Sequence, residues 1–406
     1  MDNKRNENIQ ALKTHKLTFW EASMTIVGAN IGAGVLGLAY SARLAGWPIL
    51  VMWLIIAGFF TTCSMLYVAE STLRTEKNMQ LPGLAEKYVG SVGSWAIFFS
   101  VAANAIGCLI SYTAGSGAIL NELFGISLHL GSILFTIPAV IVVYLGLKAT
   151  GVGEKVVSFG MIVLLIVIVL ASFLSGKAEI NNVIYTSWRN AVPVFNVALF
   201  CYIAQYSVPE LARGLKDRPK ELAPSIITGM VITFIMLSAV PLAVLALAGP
   251  ENVTEVATIA WGRVLGDWAL FIGNIFALFA MMTSYWAVAG SFVSNIIDKF
   301  KFKDDSDIKT RILIIAIIVV PSFYLAYSNT VSFVDAIFLA GTFGGIIMSI
   351  VPVLMIRGAR KNGDKEPEWT CGWIASNIVQ ILLIVIFCAG AIYAILSMLG
   401  LLPVGW

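Results

Sequence analysis

Two adjacent hydroxyl residues, Thr283 and Ser284, interrupt a long apolar stretch of the sequence. On a helix their side chains lie near the backbone carbonyl of Ala280, one turn earlier, so that three uncharged oxygen atoms come together. Oxygens of this kind coordinate Na⁺ in membrane transport proteins. The alternative is that both hydroxyls donate hydrogen bonds to carbonyls of their own helix, as buried Ser and Thr often do. The pair therefore indicates either a cation site or a purely structural feature.

A glycine-rich segment, residues 28–37 (Gly-Ala-Asn-Ile-Gly-Ala-Gly-Val-Leu-Gly), lies in the first apolar stretch. Each glycine costs a helix interior roughly 1 kcal/mol relative to alanine, so this segment favours a break in the helix. A break exposes N–H groups at the start of a half-helix, which attract a carboxylate, and it frees carbonyl groups for a cation. Close helix packing through small residues is the alternative.

A second interruption, residues 195–210, falls in the sixth apolar stretch and contains Asn196, Gln205 and Pro209. Phe200 and Tyr202 beside it are candidate aromatic lids for a bound ligand. In the third apolar stretch, Asn104 and Ser111 share one helix face at a spacing of seven residues. They would contact a ligand, or Asn104 would simply hydrogen-bond a neighbouring helix.

Composition places these residues in a membrane protein. Of the 406 residues 59% are hydrophobic and 12% are charged, against roughly a quarter charged in soluble domains. The mean hydropathy is +0.88, and a net charge of +3 is too small to indicate a nucleic-acid partner. The cysteines show no paired metal-ligand spacing and predict no disulfide framework; they are Cys63, Cys108, Cys201, Cys371 and Cys388.

A helix needs about 20 apolar residues to cross the hydrocarbon layer of a lipid bilayer. Eleven stretches meet this condition: 18–45, 48–73, 93–122, 129–148, 155–175, 189–212, 222–249, 266–298, 309–327, 331–356 and 371–400. They must be helices, because no period-2 alternation indicates a barrel. We therefore predict an all-α polytopic membrane protein.

The distribution of Lys and Arg predicts the orientation. With a cytoplasmic N-terminus, the inside segments hold 22 of these residues and the outside segments hold three. The tail of residues 1–17 is then cytoplasmic, and the odd number of spans puts Trp406 on the outer side of a plasma or inner membrane. Arg43 and Asp335 lie at similar depth near the outer face and would pair as an external gate, unless Arg43 only extends its charge to water. The oligomeric state is not indicated.

The two interruptions hold matching positions in two halves of five helices, residues 18–175 and 189–356, with 371–400 as an eleventh helix. Because five is odd, the halves have opposite orientation. Interrupted helices at matching positions of inverted repeats indicate a transporter binding site at the membrane midplane. Such a site holds both ends of a zwitterion without a charged side chain, which would be costly in lipid.

Residues 30–40 (Asn-Ile-Gly-Ala-Gly-Val-Leu-Gly-Leu-Ala-Tyr), followed by Ala45-Gly46-Trp47, resemble the first-helix signature of the amino acid/auxin permease family. That family belongs to the amino acid–polyamine–organocation superfamily. Residues 200–202 and 208–211 resemble its broken sixth helix, although the chain has Ile203-Ala204-Gln205 where the family often has a His or acidic residue. The resemblance implies the LeuT-type inverted-repeat fold and secondary transport of amino acids.

The segment Ala280-x-x-Thr283-Ser284 is also similar to the sodium site shared by many transporters of that fold. The resemblance adds two backbone carbonyls of the first break, so it implies the Na⁺ ligands Gly28, Ile31, Ala280, Thr283 and Ser284. Proton coupling is the alternative. It needs a titratable group on the pathway, whereas His15 and His129 lie at span edges and Lys155 lies at the start of the fifth stretch.

We expect a symporter of neutral amino acids that works by alternating access, with Na⁺ or H⁺ as coupling ion and no other cofactor. The expected substrate-binding residues are Asn30, Ile31, Gly32, Ala33, Gly34, Asn104, Ser111, Leu199, Phe200, Cys201 and Tyr202. An enzyme is not expected, because Ser116 between two glycines has no spanning histidine to activate it. A sensor that binds an amino acid without carrying it, or a transporter of another cargo, would also fit the sequence.

Overall fold

The computed structural model describes residues 16–145, 150–300 and 308–402, with the side chains of 145, 150–159, 294, 298 and 308 excepted. The predicted cytoplasmic tail up to His15, and Trp406 at the other end, lie outside the described residues. The same holds for the side chain of Lys155, the candidate for proton coupling.

Apart from turns and short 3₁₀ segments, the described elements are α-helices with one π-helical turn. In chain order the α-helices are α1 (Phe19–Ile31), α2 (Gly34–Ala42), α3 (Trp47–Leu73), α4 (Leu81–Val89), α5 (Ser91–Phe124), α6 (Leu128–Leu145), α7 (Thr150–Leu174), α8 (Ala191–Phe200), α9 (Val208–Gly214), α10 (Leu222–Ala248), α11 (Ala257–Leu265), α12 (Asp267–Phe300), α13 (Ile308–Tyr327), α14 (Phe333–Leu339), α15 (Ile346–Asn362) and α16 (Asn377–Met398). The π-helical turn, Ala340–Gly345, joins α14 to α15.

The described chain supports eight or nine membrane spans. Eight helical segments are long and apolar enough to cross a bilayer, and the bent pair α1–α2 makes a ninth. Shorter apolar helices, Leu128–Tyr144 and Gly160–Leu174, occupy the fourth and fifth predicted stretches. The all-helical prediction is therefore confirmed, whereas the predicted number of eleven spans is not.

The first predicted stretch is a broken helix. The axis bends by 49° between α1 and α2, and the bend falls at Gly32 and Ala33 inside the glycine-rich segment. At the other end of α1, Thr18 and Glu21 form a capping box, in which each side chain accepts a hydrogen bond from the other residue's N–H group. This box satisfies two N–H groups that no helical carbonyl reaches and so fixes the start of α1.

The sixth predicted stretch is interrupted as well. Helix α8 ends at Phe200 and α9 begins at Val208, with residues 201–204 irregular and a 3₁₀ turn, Gln205–Ser207, before α9. Pro209 in the first turn of α9 suits a helix start, where its missing N–H group has no helical partner to lose. The second break thus lies at the residues that the sequence singled out.

Several features recur five predicted spans apart. Two nine-residue helices, α4 and α11, directly precede the two 34-residue helices, α5 and α12. Each short helix ends at a glycine in a left-handed conformation, Gly90 at φ 94° and Gly266 at φ 102°, which an L side chain rarely adopts. In addition, α1 packs on α10 as α8 and α9 pack on α3.

Successive long helices alternate in direction, so their ends define two faces. At one face the N–H group of Leu17 donates to the carbonyl of Gly214, and Lys16 pairs with Asp217. We call this the N-terminal face; it also carries α4. At the opposite face Arg263 of α11 forms a two-pronged ion pair with Glu122 at the end of α5.

A buried carboxylate, Glu70, joins three elements near the N-terminal face. Its oxygens accept hydrogen bonds from Arg360 Nε at 2.9 Å and Nη2 at 3.0 Å, and from Arg74 Nε at 3.0 Å. The N–H group of Cys371 also donates to it at 2.7 Å. A buried charge is tolerated only when it is paired and hydrogen-bonded, and here this pairing ties α3 to α15 and to the segment before α16.

Candidate functional site

A small cavity lies where the first break meets α12 and α7. Its volume is about 30 Å³. Residues of the first break, of α12 and of α7 line it: Val27, Gly28, Ile31, Gly32, Ala280, Thr283, Ser284, Met161 and Ile162. The structure therefore brings together, around one cavity, all five residues implied as Na⁺ ligands.

The Thr283 hydroxyl in this cavity keeps the capacity to bind a cation. Thr283 Oγ1 donates a hydrogen bond to the carbonyl of Ala280 at 3.0 Å, which is the structural role considered for it from sequence. A hydroxyl that donates its proton retains two acceptor lone pairs. This hydrogen bond is thus compatible with a cation that Thr283 Oγ1 and the Ala280 carbonyl would share.

The volume of the cavity limits what can occupy it. A water-sized guest needs roughly 10–15 Å³, so the cavity accommodates an ion or a water molecule. Pockets for small organic molecules begin near roughly 300 Å³, so the cavity is too small for an amino acid. None of its lining residues carries a charge, which leaves neutral oxygens as the only ligands it can offer.

Tyr112 of α5 is a further residue at this place, and the sequence analysis does not single it out. Its side chain is buried, and its hydroxyl oxygen lies 3.7 Å from the point where a Cβ atom of Gly32 would stand. Tyr112 follows Asn104 by eight residues and Cys108 by four, so the three share one face of α5. That spacing is the signal by which Tyr112 could be found from sequence.

The two breaks touch each other at Gly34. A Cβ atom on Gly34 would stand 2.5 Å from the sulfur of Cys201 and 3.0 Å from the ring of Phe200. Glycine thus leaves room here for the Cys201 and Phe200 side chains to pack against the backbone of the first break. Of the residues predicted around this point, Ile31 and Ala33 are buried on the first break, and Phe200 is half-buried on the second.

Two predicted ligand-contacting side chains face neighbouring helices instead. Asn30 Nδ2 donates to Met230 Sδ at 3.2 Å and to Thr233 Oγ1 at 3.5 Å, both on α10. The ring of Tyr202 packs on α3, where its Cζ atom lies 3.0 Å from the Cβ position of Gly58. In this conformation these residues can contribute backbone groups, but not side chains, to a site between the breaks.

The predicted residues of α5 have different environments. Asn104 packs against Gly344 in the π-helical turn, and its buried Oδ1 atom has no hydrogen-bond partner within the described chain. Ser111 Oγ donates to the carbonyl of Cys108 on its own helix at 2.9 Å. Leu199 reaches the same π-helical turn at Gly345. Because π-helical turns frequently mark functional sites, Asn104 is the better candidate of the two polar residues.

Arg43 and Asp335 lie near the opposite face, but the described chain contains no ion pair between them. Arg43 Nη1 donates to the carbonyl of Tyr40 at 2.8 Å, and its guanidinium lies 3.5 Å from the centre of the Tyr40 ring. The N–H group of Asp335 donates to Ser332 Oγ, which caps α14. The external gate stays a prediction.

Comparisons with known proteins agree on a class of function. The sequence model of the tryptophan/tyrosine permease family matches residues 14–395, which include both breaks and the whole cavity. A tryptophan-specific transport protein of Haemophilus influenzae is 25% identical over 370 residues, which cover 84% of this chain and 87% of that protein. The matching family is an amino acid permease family, but it is not the amino acid/auxin permease family that the sequence motifs suggested.

Proposed function

The chain belongs to the tryptophan/tyrosine permease family, and we propose that it carries a neutral amino acid together with Na⁺ by alternating access. Membership of a permease family means a transporter and not an enzyme. Tryptophan is the first substrate to test, because the relative from Haemophilus influenzae is a tryptophan-specific transport protein. None of the residues expected to bind the substrate at the two breaks, 30–34 and 199–202, has a charged side chain, which favours a neutral substrate.

The observation that carries the proposal is the uncharged cavity between the first break and α12. Gly28 and Ile31 lie on one side of it, and Ala280, Thr283 and Ser284 lie on the other. A cation there attracts oxygens from both sides and so holds α1 against α12. Transport is then coupled to sodium, because the first break is held against α12, ready for the movement of the helices, only when Na⁺ is bound.

The substrate lies between the two breaks in this proposal. Its carboxylate faces the N–H groups of residues 32–34, where a half-helix starts, and its ammonium group faces carbonyls of residues 199–202. Gly34 and Cys201 contact each other in the present conformation. Loading therefore requires the breaks to separate, a motion that alternating access supplies.

The proposed architecture is a LeuT-type inverted repeat, residues 18–175 and 189–356, followed by an eleventh spanning helix at residues 371–400. It is supported by the two breaks, by the paired short helices α4 and α11, and by the matching contacts of α1 with α10 and of α8 with α3. The positive-inside distribution supports a cytoplasmic N-terminus in a plasma or inner membrane.

Uptake into sealed vesicles tests transport and coupling together. Purified protein in proteoliposomes should accumulate labelled tryptophan when an inward Na⁺ gradient is imposed, and choline in place of Na⁺ should abolish this accumulation. A sensor would bind tryptophan and never accumulate it. Uptake that a pH gradient drives in the absence of Na⁺ would reverse the choice of coupling ion in favour of H⁺.

The double variant Thr283→Ala, Ser284→Ala tests the ion site itself. It removes two of the three ligands on α12, so the Na⁺ concentration for half-maximal uptake should rise at least tenfold, which corresponds to about 1.4 kcal/mol. The control is Ser116→Ala on α5, whose buried hydroxyl donates to Met281 Sδ of α12 but does not line the cavity. Unchanged Na⁺ dependence in the double variant would refute the site.

A further inference from the structure

A second and larger cavity opens at the N-terminal face. Its volume is about 620 Å³, and it lies between α4 with the segment before it, the start of α5, and the ends of α9 and α12. Four cationic side chains from these elements line it: Lys77, Lys87, Arg213 and Lys299. Glu86 is the one carboxylate in the lining, so the cavity is strongly positive.

Two of these cations are already satisfied by the protein. Lys87 forms an ion pair with Asp364, and the hydrogen bond from Lys87 lowers the pKa of the Asp364 carboxyl below its ordinary value. Lys299 Nζ donates to Ser94 Oγ at 2.8 Å and lies 4.3 Å from the centre of the Trp95 ring. Their positions are thus fixed by the fold.

The side chains of the other two, Lys77 and Arg213, make no hydrogen bond or ion pair within the described chain. Lys77 is exposed, whereas Arg213 is half-buried and its Nε atom is buried without a partner. A buried unpaired donor costs about 1–3 kcal/mol. Cations that serve only membrane orientation would extend into water, and this cost therefore points to a ligand.

The shape and charge of the cavity indicate the class of ligand. Arg and Lys together favour phosphate groups, which Arg can contact through two parallel hydrogen bonds. Helix α4 begins at this cavity, with Gln80 and Gly83 in the lining and no side chain capping its first turn, and a helix start adds further attraction for an anion. Basic pockets between helix ends at a membrane surface suit lipid headgroups as well as soluble phosphates.

We propose that this cavity binds a phosphate-bearing anion, supplied either by an anionic phospholipid headgroup or by a soluble phosphate compound. The anion joins Arg213, in the last turn of α9, to Lys77 and Lys299. It thereby links the second half of the broken sixth helix to the segment before α4 and to α12. Binding is independent of the proposed function, whereas any effect of the anion on transport rests on it.

Thermal denaturation in nanodiscs tests the proposal. In neutral phosphatidylcholine discs, pyrophosphate should raise the melting temperature above that in chloride of equal ionic strength, if the source is soluble. Phosphatidylglycerol in the disc should raise it if the source is a lipid. The double variant Lys77→Gln, Arg213→Gln should need roughly tenfold or more of the active probe, pyrophosphate or phosphatidylglycerol, for the same rise in melting temperature.

The matched control is Lys220→Gln, Lys361→Gln, which removes the same charge from exposed positions of the same face outside the cavity. It should keep the response of the parent protein. If the double variant fails to fold, Lys77→Gln alone, at an exposed residue, should still weaken the response. No response to either probe, or equal losses in control and cavity variants, would overturn the proposal.

Discussion

Gly34 sets how closely the two broken helices approach each other. In the variant Gly34→Ala the new Cβ atom would stand 2.5 Å from Cys201 Sγ, a distance at which the Cys201 side chain or the breaks themselves must shift. Overpacking of this kind costs about 1–3 kcal/mol, so the free energy of unfolding should fall by that amount and uptake should fall with it. Denaturant titration in detergent micelles and vesicle uptake measure the two effects.

The control for this prediction is Gly290→Ala, where nothing lies within 4 Å of the added carbon. That variant should be unchanged or more stable by up to about 1 kcal/mol, because alanine favours a helix. Adding the second change Cys201→Ala should restore part of the unfolding free energy and of the uptake that Gly34→Ala loses. A Gly34→Ala variant as stable and active as the parent would show that the breaks do not depend on this contact.

At the residue scale, the sequence predicts which chemical groups a helix carries better than it predicts which neighbour those groups face. The residues of the proposed sodium site could be predicted to lie together because Gly28, Thr283 and Ser284 carry their signal in residue type and spacing, and one cavity does bring them together. Asn30 could not, because whether its amide faces a site or α10 depends on the rotation of α1 about its axis. The sequence analysis does not single out Tyr112 despite its spacing, because an aromatic residue in a membrane helix usually only packs.

At the scale of elements, the loss of Arg360 should destabilise the protein more than the loss of its partner Glu70. Arg360→Gln leaves the fully buried Glu70 carboxylate with Arg74 as its only charged partner within the described chain, so the free energy of unfolding should fall by up to about 3–5 kcal/mol, the cost of a buried charge without a partner. Glu70→Gln should cost less, about 1–2 kcal/mol, because the Arg360 side chain is 37% exposed and can reach water. Denaturant titration of both single variants measures the difference.

The double variant Glu70→Gln, Arg360→Gln should be no less stable than Arg360→Gln, since it removes the stranded charge. Lys365→Gln is the matched control, because its pair with Glu368 is exposed and should contribute about 0–1 kcal/mol. Equal losses in the two single variants would contradict this view of the Glu70 cluster.

Helix existence could be predicted from hydropathy, and both breaks from glycine and proline, because these signals are local. The short helices α4 and α11 were not predicted. Each has nine residues, too few for the stretch that a spanning helix needs, and each is stabilised by packing on the long helix that follows it. The π-helical turn of residues 340–345 likewise follows from tertiary packing, because Gly341 there closely approaches the carbonyl of Asn196.

At the scale of the whole molecule, the two faces differ in the charges they carry and in what those charges do. The N-terminal face holds the Glu70 cluster, the pair of Lys16 with Asp217, and the large basic cavity. The opposite face holds the pair of Glu122 with Arg263. The structure determines which loops share a face, whereas only the excess of Lys and Arg indicates which face meets the cytoplasm.

Thiol labelling tests both the orientation and the odd number of spans. Four of the five cysteines are buried and Cys388 is exposed, so Cys388→Ser provides a background of low reactivity. In that background, Glu251→Cys and Leu401→Cys should react with a membrane-impermeant maleimide on intact cells, because both positions are exposed and belong to the predicted outer side. Lys361→Cys, exposed at the N-terminal face, should react only after the cells are opened. If Leu401→Cys required opened cells while Glu251→Cys did not, the chain would cross the bilayer an even number of times, and the eleventh helix would have to be reassigned.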